Sequence, residues 1–194
     1  MNERTFHASQ AHRLDDPERL QWLPPDEIIS HLQIKVGSTI ADIGAGTGYF
    51  SLPFANAVGT AGKVFAVDLQ KEMLAIIQKK LTGSGHPSNV MLVQGDASHT
   101  GLAKKSCDLV FMANLWHELD DHPEVLKESA RILRADGILA IIDWRSDLLA
   151  PPGPPTEHRI STQEVQKTLR HNDWSILKAM TVGRYSHMIL ATIR

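Results

Sequence analysis

Cysteine occurs once in these 194 residues, at Cys107, so no internal disulfide framework staples the chain and its fold must rest on a buried apolar core. The position of that thiol just before Asp108-Leu-Val-Phe111 reads as the start of a strand, which makes it a packing residue rather than a nucleophile. Long hydrophobic runs are missing too: Leu109–Ala113 and Ile138–Ile142 are strand-sized and far too short to span a bilayer. Residues 1–20 lack the basic-then-apolar order of a secretory signal, and a cytoplasmic location is expected. Nor is there an excess of one charge. A net charge of −2, with 20 Lys and Arg spread along the chain, offers no electrostatic footprint for nucleic acid or an anionic membrane and points to small ligands. No internal repeat is present, and the one low-complexity tract is Ala150-Pro-Pro-Gly-Pro-Pro155, a stiff loop.

The length and the 42% hydrophobic content suit one well-buried core. The expected organisation is an N-terminal arm and cap over 1–24, loose and polar through about residue 14, followed by a single domain over 25–194. Pro24-Pro25-Asp26-Glu27 places proline and acidic groups in the first turn of a helix. Strand-like runs follow at Thr39–Ile43, Lys63–Asp68, Val90–Val93, Asp108–Ala113 and Ile138–Trp144, alternating with helical patterns. That alternation predicts an α/β fold with a parallel sheet and helices on both faces. Ser161-Thr-Gln-Glu164 has the spacing of a capping box. The last two runs, Trp174–Val182 and Ser186–Ile193, are joined by Gly183-Arg-Tyr185 alone, so they must pair antiparallel.

Within this frame Ile40-Ala-Asp-Ile-Gly44-Ala-Gly46-Thr-Gly48-Tyr49 carries the most chemistry, because an apolar strand ends in Asp42 and runs into three alternate glycines. Such glycines bring backbone N–H groups at a helix N-terminus against a ligand. The spacing is GxGxG and not the GxGxxG of dinucleotide folds, which makes a pyrophosphate the weaker expectation. Asp68 ends the second strand 20 residues past Gly48, where a carboxylate can accept from both ribose hydroxyls, a role that can coexist with capping the next helix. The third strand ends in Gln94-Gly-Asp96-Ala97, whose acid could read an exocyclic amine or simply make a turn. The fourth leads into Asn114-Leu-Trp-His117-Glu-Leu-Asp-Asp-His122. Its two histidines and three acids in six residues lack His-Glu-x-x-His spacing and read as a polar helix start, so no metal is expected. The fifth delivers Asp143-Trp144-Arg145 at its exit.

Taken together, these segments resemble class I S-adenosylmethionine-dependent methyltransferases of type 11, the branch that includes quinone-biosynthesis and arsenite methyltransferases. The likeness covers roughly residues 25–194 and also uses Ala130–Asp143 and the closing hairpin. It implies a Rossmann-like, doubly wound seven-stranded sheet of order 3-2-1-4-5-7-6, mostly parallel with an antiparallel last strand. It further implies S-adenosyl-L-methionine as cofactor, its methionine part beside Asp42, Gly44, Ala45 and Gly46 with the Asn114 backbone near the amino group. Asp68 would hold the ribose, Leu69 would flank the adenine, and Asp96 with the Ala97 N–H would read the adenine edge. Arg134-Ala-Asp136-Gly137 stands where relatives carry Lys-Pro-Gly-Gly, a change in a turn far from the chemistry.

The implied activity is methyl transfer to a small-molecule acceptor by in-line displacement, in which the protein supplies mainly alignment and desolvation. One cysteine cannot hold arsenic, and a short chain has little sequence to spare for a large quinone cleft. If the acceptor must lose a proton, the candidate bases are His117, Asp143 and His187, with His158 also near the mouth and Arg145 or Arg159 able to orient an anion. Two rival readings are an NAD(P)-dependent oxidoreductase, which the missing Tyr-x-x-x-Lys pattern disfavours, and a non-catalytic S-adenosylmethionine-binding sensor or accessory protein. The expected assembly is a monomer or homodimer without nucleic-acid or membrane partners.

Overall fold

Strands that are apolar on both sides need cover on both faces, and the computed structural model, which describes residues 5–82, 87–148 and 152–194, shows how this chain provides it. Seven strands are present among the described residues: β1 (Thr39–Ile43), β2 (Lys63–Asp68), β3 (Val90–Gln94), β4 (Cys107–Ala113), β5 (Leu133–Trp144), β6 (Trp174–Val182) and β7 (Ser186–Ile193). They form a single sheet of order β3-β2-β1-β4-β5-β7-β6, the order that the sequence resemblance implies. β1 pairs parallel with β2 and β4, whereas β7 runs antiparallel to both β5 and β6. The sheet therefore reverses direction of growth between β1 and β4, which opens a crevice beyond their carboxyl ends.

Six α-helices are present among the described residues: α1 (Arg19–Trp22), α2 (Pro25–His31), α3 (Ser51–Val58), α4 (Lys71–Leu81), α5 (His122–Ile132) and α6 (Thr162–His171). Side-chain caps start two of them. Asp121 accepts from the Glu124 N–H at the head of α5, and the predicted capping box of Ser161 and Glu164 is closed at the head of α6. Alternation along the strands then divides the core. Ala41, Val110 and Met112 join Trp116, Val165 and Trp174 in one cluster. Ile40, Leu109 and Phe111 point the other way, to Phe50, Phe54, Leu23 and Ile28. The Phe54 and Phe111 rings meet edge-on at 4.8 Å, and each such fully buried side chain contributes roughly 1.5–3 kcal/mol. Cys107 is fully buried, as a packing thiol should be.

The structure departs from the sequence expectations at the start of β5 and in the arm. β5 begins at Leu133 rather than Ile138, because Leu133 pairs with Cys107 before a register shift near Leu109. Where the polar composition suggests a loose arm, residues Ala8–Asp15 form a 3-10 helix. Backbone groups of the arm are held from afar: Phe6 donates to Glu118, Ala8 donates to Gln70 Oε1, and Gln70 Nε2 returns a bond to the Phe6 carbonyl. Of the proline tract, 150 and 151 lie outside the described residues, while Pro152–Pro155 border the crevice.

The hairpin tip of β6 and β7 locks onto the end of the arm at Trp22. Gly183 there has φ +53°, and a Cβ on it would sit 2.2 Å from the Trp22 carbonyl oxygen, so only glycine fits. Arg184 N donates to that same oxygen at 3.0 Å. Among the described residues no helix is long and apolar enough to cross a membrane.

Candidate functional site

The crevice at the switch point encloses about 1030 Å3 and is walled by the loops after β1, β2, β3 and β4, with the arm as its roof. Pockets for single small ligands run to roughly 300–1,000 Å3, so there is room for a nucleoside-sized cofactor beside a small acceptor. Every residue that the resemblance assigns to the cofactor borders this one cavity: Asp42, Gly44, Ala45 and Gly46 on the first loop, Asp68 and Leu69 on the second, Asp96 and Ala97 on the third, and Asn114 on the fourth.

Asp42 is buried and accepts from Ser51 Oγ at 2.5 Å. Burial pushes its carboxyl up to about 7, partly offset by the Ser51 hydrogen bond and reinforced by the nearby Asp68. Asp68 pins the glycine loop: Oδ2 accepts the Gly46 N–H at 2.8 Å and Oδ1 accepts the Gln70 N–H at 2.9 Å. Its pKa is raised by burial, against which these backbone donors act. Each carboxylate oxygen has two lone-pair sites, which leaves capacity for ribose hydroxyls. Gly44 takes φ +72°, a conformation that favours glycine, and a Cβ there would also crowd the end of the Leu115 side chain.

Further along the rim, Asp96 Oδ1 accepts both the backbone N–H and the hydroxyl of Ser98 at 2.8 and 2.6 Å, closing a turn, and the exposed Leu69 offers an apolar edge nearby. Asn114 is held in the left-handed region at φ +55°, with its N–H bonded to the Ile142 carbonyl. Its side-chain Oδ1 is buried and has no partner. A buried acceptor left open on a ligand cavity is completed by an incoming donor.

His117 sits in a short 3-10 turn, Trp116–Glu118, directly after β4. The carboxylate of Asp143 on β5 receives its backbone N–H on Oδ2 at 2.8 Å and lies 2.8 Å from its Nδ1 through Oδ1, which also accepts the Trp144 N–H at 2.7 Å. A carboxylate already accepting on both oxygens takes the Nδ1 proton as well, which makes Nε2 the basic nitrogen of the imidazole. His117 borders the cavity, whereas Asp143 is buried behind it and does not. The neighbouring Glu118 is raised to about 7, chiefly by burial and despite the Phe6 N–H and the adjacent His117.

His187 is not brought to this crevice. Although its Cα pairs with that of Asp143 across β5 and β7, its buried ring opens on a separate cavity of about 420 Å3 beside α6 and β6, with Arg145 on the wall. Burial lowers its pKa, and this candidate base stands away from the glycine loop. His158 does border the main cavity, as does its preceding loop. Arg159 turns inward to the carbonyls of Pro154 and Leu148 and serves the loop rather than a ligand.

Several lining residues carry no sequence signal. Arg19 is only 6% exposed and stacks on Tyr49, its guanidinium carbon 4.1 Å from the ring centroid. Trp22 meets Trp144 with ring centroids 5.2 Å apart, forming an aromatic wall. A charged residue in a polar stretch normally reads as solvated surface, and only the packing of the arm reveals the opposite.

Carboxylates facing a bare backbone turn and an open amide acceptor match a cationic adenosyl ligand, and the comparisons with known proteins agree. The methyltransferase domain family matches residues 41–141. A demethylmenaquinone methyltransferase of Lactobacillus johnsonii is 33% identical over 112 residues, 58% of this chain and 46% of that protein. A ubiquinone/menaquinone biosynthesis C-methyltransferase of Hahella chejuensis is 30% identical over 111 residues, 57% of this chain and 45% of that protein. The chain thus spans about half the length of the curated relatives it matches. The crystal structure of a SAM dependent methyltransferase from Aquifex aeolicus superposes with a TM-score of 0.92 at 32% identity, covering 98% of this chain and 100% of that one. The chain belongs to the methyltransferase domain family, within its S-adenosylmethionine-dependent class.

Proposed function

We propose that this protein transfers the methyl group of S-adenosylmethionine to a small-molecule acceptor. The observation that carries the reading is the convergence of Asp42, Asp68 and the open Asn114 Oδ1 on one glycine-lined cavity, an acceptor-rich cradle for a ligand with ammonium, sulfonium and ribose donors. When bound, the cofactor supplies an electrophilic methyl on sulfur. The chain itself aligns the two reactants, excludes water beneath the arm and manages the proton. Asp42 and Asn114 hold the ammonium, Asp68 the ribose, and Asp96 with Ala97 the adenine edge. His117 Nε2 accepts a proton from the acceptor, and Asp143 is a positioning residue that fixes the tautomer and shares the positive charge that then forms on the ring.

The decisive experiment incubates the protein with methyl-labelled cofactor and a pool of small metabolites, and runs thermal-shift titrations with S-adenosylhomocysteine and with NAD in parallel. Label in a small molecule and stabilisation by the homocysteine compound alone are expected. Stabilisation by NAD alone would replace the reading with an oxidoreductase, binding without any transfer would favour an accessory role, and label in RNA or protein would remove the small-molecule acceptor.

A quinol acceptor is a second reading, favoured by the indole wall of Trp22 and Trp144, which suits a flat ring, and by the named activity of the Lactobacillus johnsonii protein. A demethylated quinol offered as acceptor tests it through label on a ring carbon.

A further inference from the structure

Arg19 is a buried cation. Its guanidinium lies in the wall of the main cavity, NH1 donates to the Leu14 carbonyl at 2.9 Å, and Nε is buried with no partner. No carboxylate lies within ion-pair distance of it among the described residues, although Asp15 and Asp42 are close enough to act through space. Burial draws its pKa down to about 10, so the site pays in solvation for keeping it charged. Tyr49 beneath the plane and Trp22 at 5.9 Å fix the fork in place. A surface arginine would be solvated, and a purely structural buried one would have its N–H groups used; this one has a donor in reserve on a ligand cavity.

We propose that Arg19 is the receptor for the α-carboxylate of the bound cofactor, closing the methionine subsite from the side of the arm. The assignment rests on the cofactor reading above and deepens it. An amino-acid end group carries an ammonium and a carboxylate, and the cavity offers acceptors for the first in Asp42 and Asn114 and, among the described residues, the buried guanidinium of Arg19 for the second. Location agrees. Tyr49, on which Arg19 stacks, directly follows the glycine loop, and Leu14 of the same arm packs so closely over that loop that a Cβ on Gly46 would come within 3.0 Å of it. A planar fork with an unused N–H suits a carboxylate, and an occupant there ties the arm to the sheet through the ligand.

The test uses the full chain and two ligands, S-adenosylhomocysteine and its decarboxylated form, 5′-(3-aminopropylthio)-5′-deoxyadenosine, titrated calorimetrically into wild type, Arg19→Gln and Arg19→Lys. Wild type is expected to prefer the carboxylate-bearing ligand by about tenfold or more, Arg19→Gln to lose that preference while binding the amine within about twofold of wild type, and Arg19→Lys to fall between. Equal weakening of both ligands in Arg19→Gln, or an undiminished preference, overturns the assignment and returns Arg19 to a structural role or to an anionic acceptor. Should Arg19→Gln lose its cooperative thermal transition, the Lys variant decides, since a preference equal to wild type there overturns the planar fork. Failure of both ligands to bind wild type overturns the cofactor reading itself, a result distinct from the other two.

Discussion

Ser51 Oγ donates to Asp42 Oδ2 at 2.5 Å, which ties the first turn of α3 to the last polar group of β1 and still leaves the carboxyl raised to about 7 by burial. A folded-state pKa above the unfolded value means that the stabilising contribution is complete below about pH 4 and is lost as pH rises through about 7. The difference in unfolding free energy between wild type and Asp42→Asn should therefore move against wild type by a few kcal/mol across that window, read from denaturant midpoints. A difference that is flat with pH would contradict the buried, protonated carboxyl.

Ligand binding should run the opposite way. A cationic ligand holds Asp42 ionised, so binding near pH 6 releases a proton and affinity rises as pH climbs through about 7. Calorimetry of S-adenosylmethionine in two buffers of different ionisation enthalpy checks this; identical heats would exclude it.

His117 and Asp143 predict a paired phenotype. His117→Ala should lower turnover about 100-fold or more with cofactor affinity unchanged. Asp143→Asn should do the same while shifting the imidazole tautomer, which nitrogen NMR of the His117 ring reports as loss of the proton on Nδ1. A tautomer unmoved by that substitution would deny Asp143 its positioning role.

Asp68→Asn should affect two properties at once. The amide retains at most one acceptor oxygen for the Gly46 and Gln70 N–H groups, so the glycine loop loosens, and ribose contacts are lost as well. Cofactor affinity should fall by roughly 1–3 kcal/mol, measured by titration. Wild-type affinity would remove Asp68 from the ribose.

Gly183→Ala should cost at least about 2 kcal/mol of stability, since a positive φ and a clash with the Trp22 carbonyl oxygen combine. Chemical denaturation gives the number directly, and a neutral effect would mean that the hairpin tip moves freely off Trp22.

The sheet was legible in the sequence because its inner strands are largely buried, so runs such as Lys63–Asp68 and Ser186–Ile193 announce themselves without tertiary context. The cleft was legible where chemistry sits at strand ends, as at Asp42, Asp68 and Asn114. It was illegible at the roof. The arm has no apolar period, and its anchors on Gln70 and Glu118 come from positions 62 and 112 residues away. His187 shows the complementary failure: in the sequence it is one more candidate base, yet its side chain borders the hollow between α6 and β6 and not the main cavity.

The bond from Arg184 to the Trp22 carbonyl gives the protein an unplanned optical reporter. Of four tryptophans, Trp116 and Trp174 are sealed in the interior, while Trp22 and Trp144 touch each other at the cavity wall with Tyr185 behind them. Emission from that pair registers an occupant, a displaced roof or a strained outer hairpin through the same signal, without any label attached.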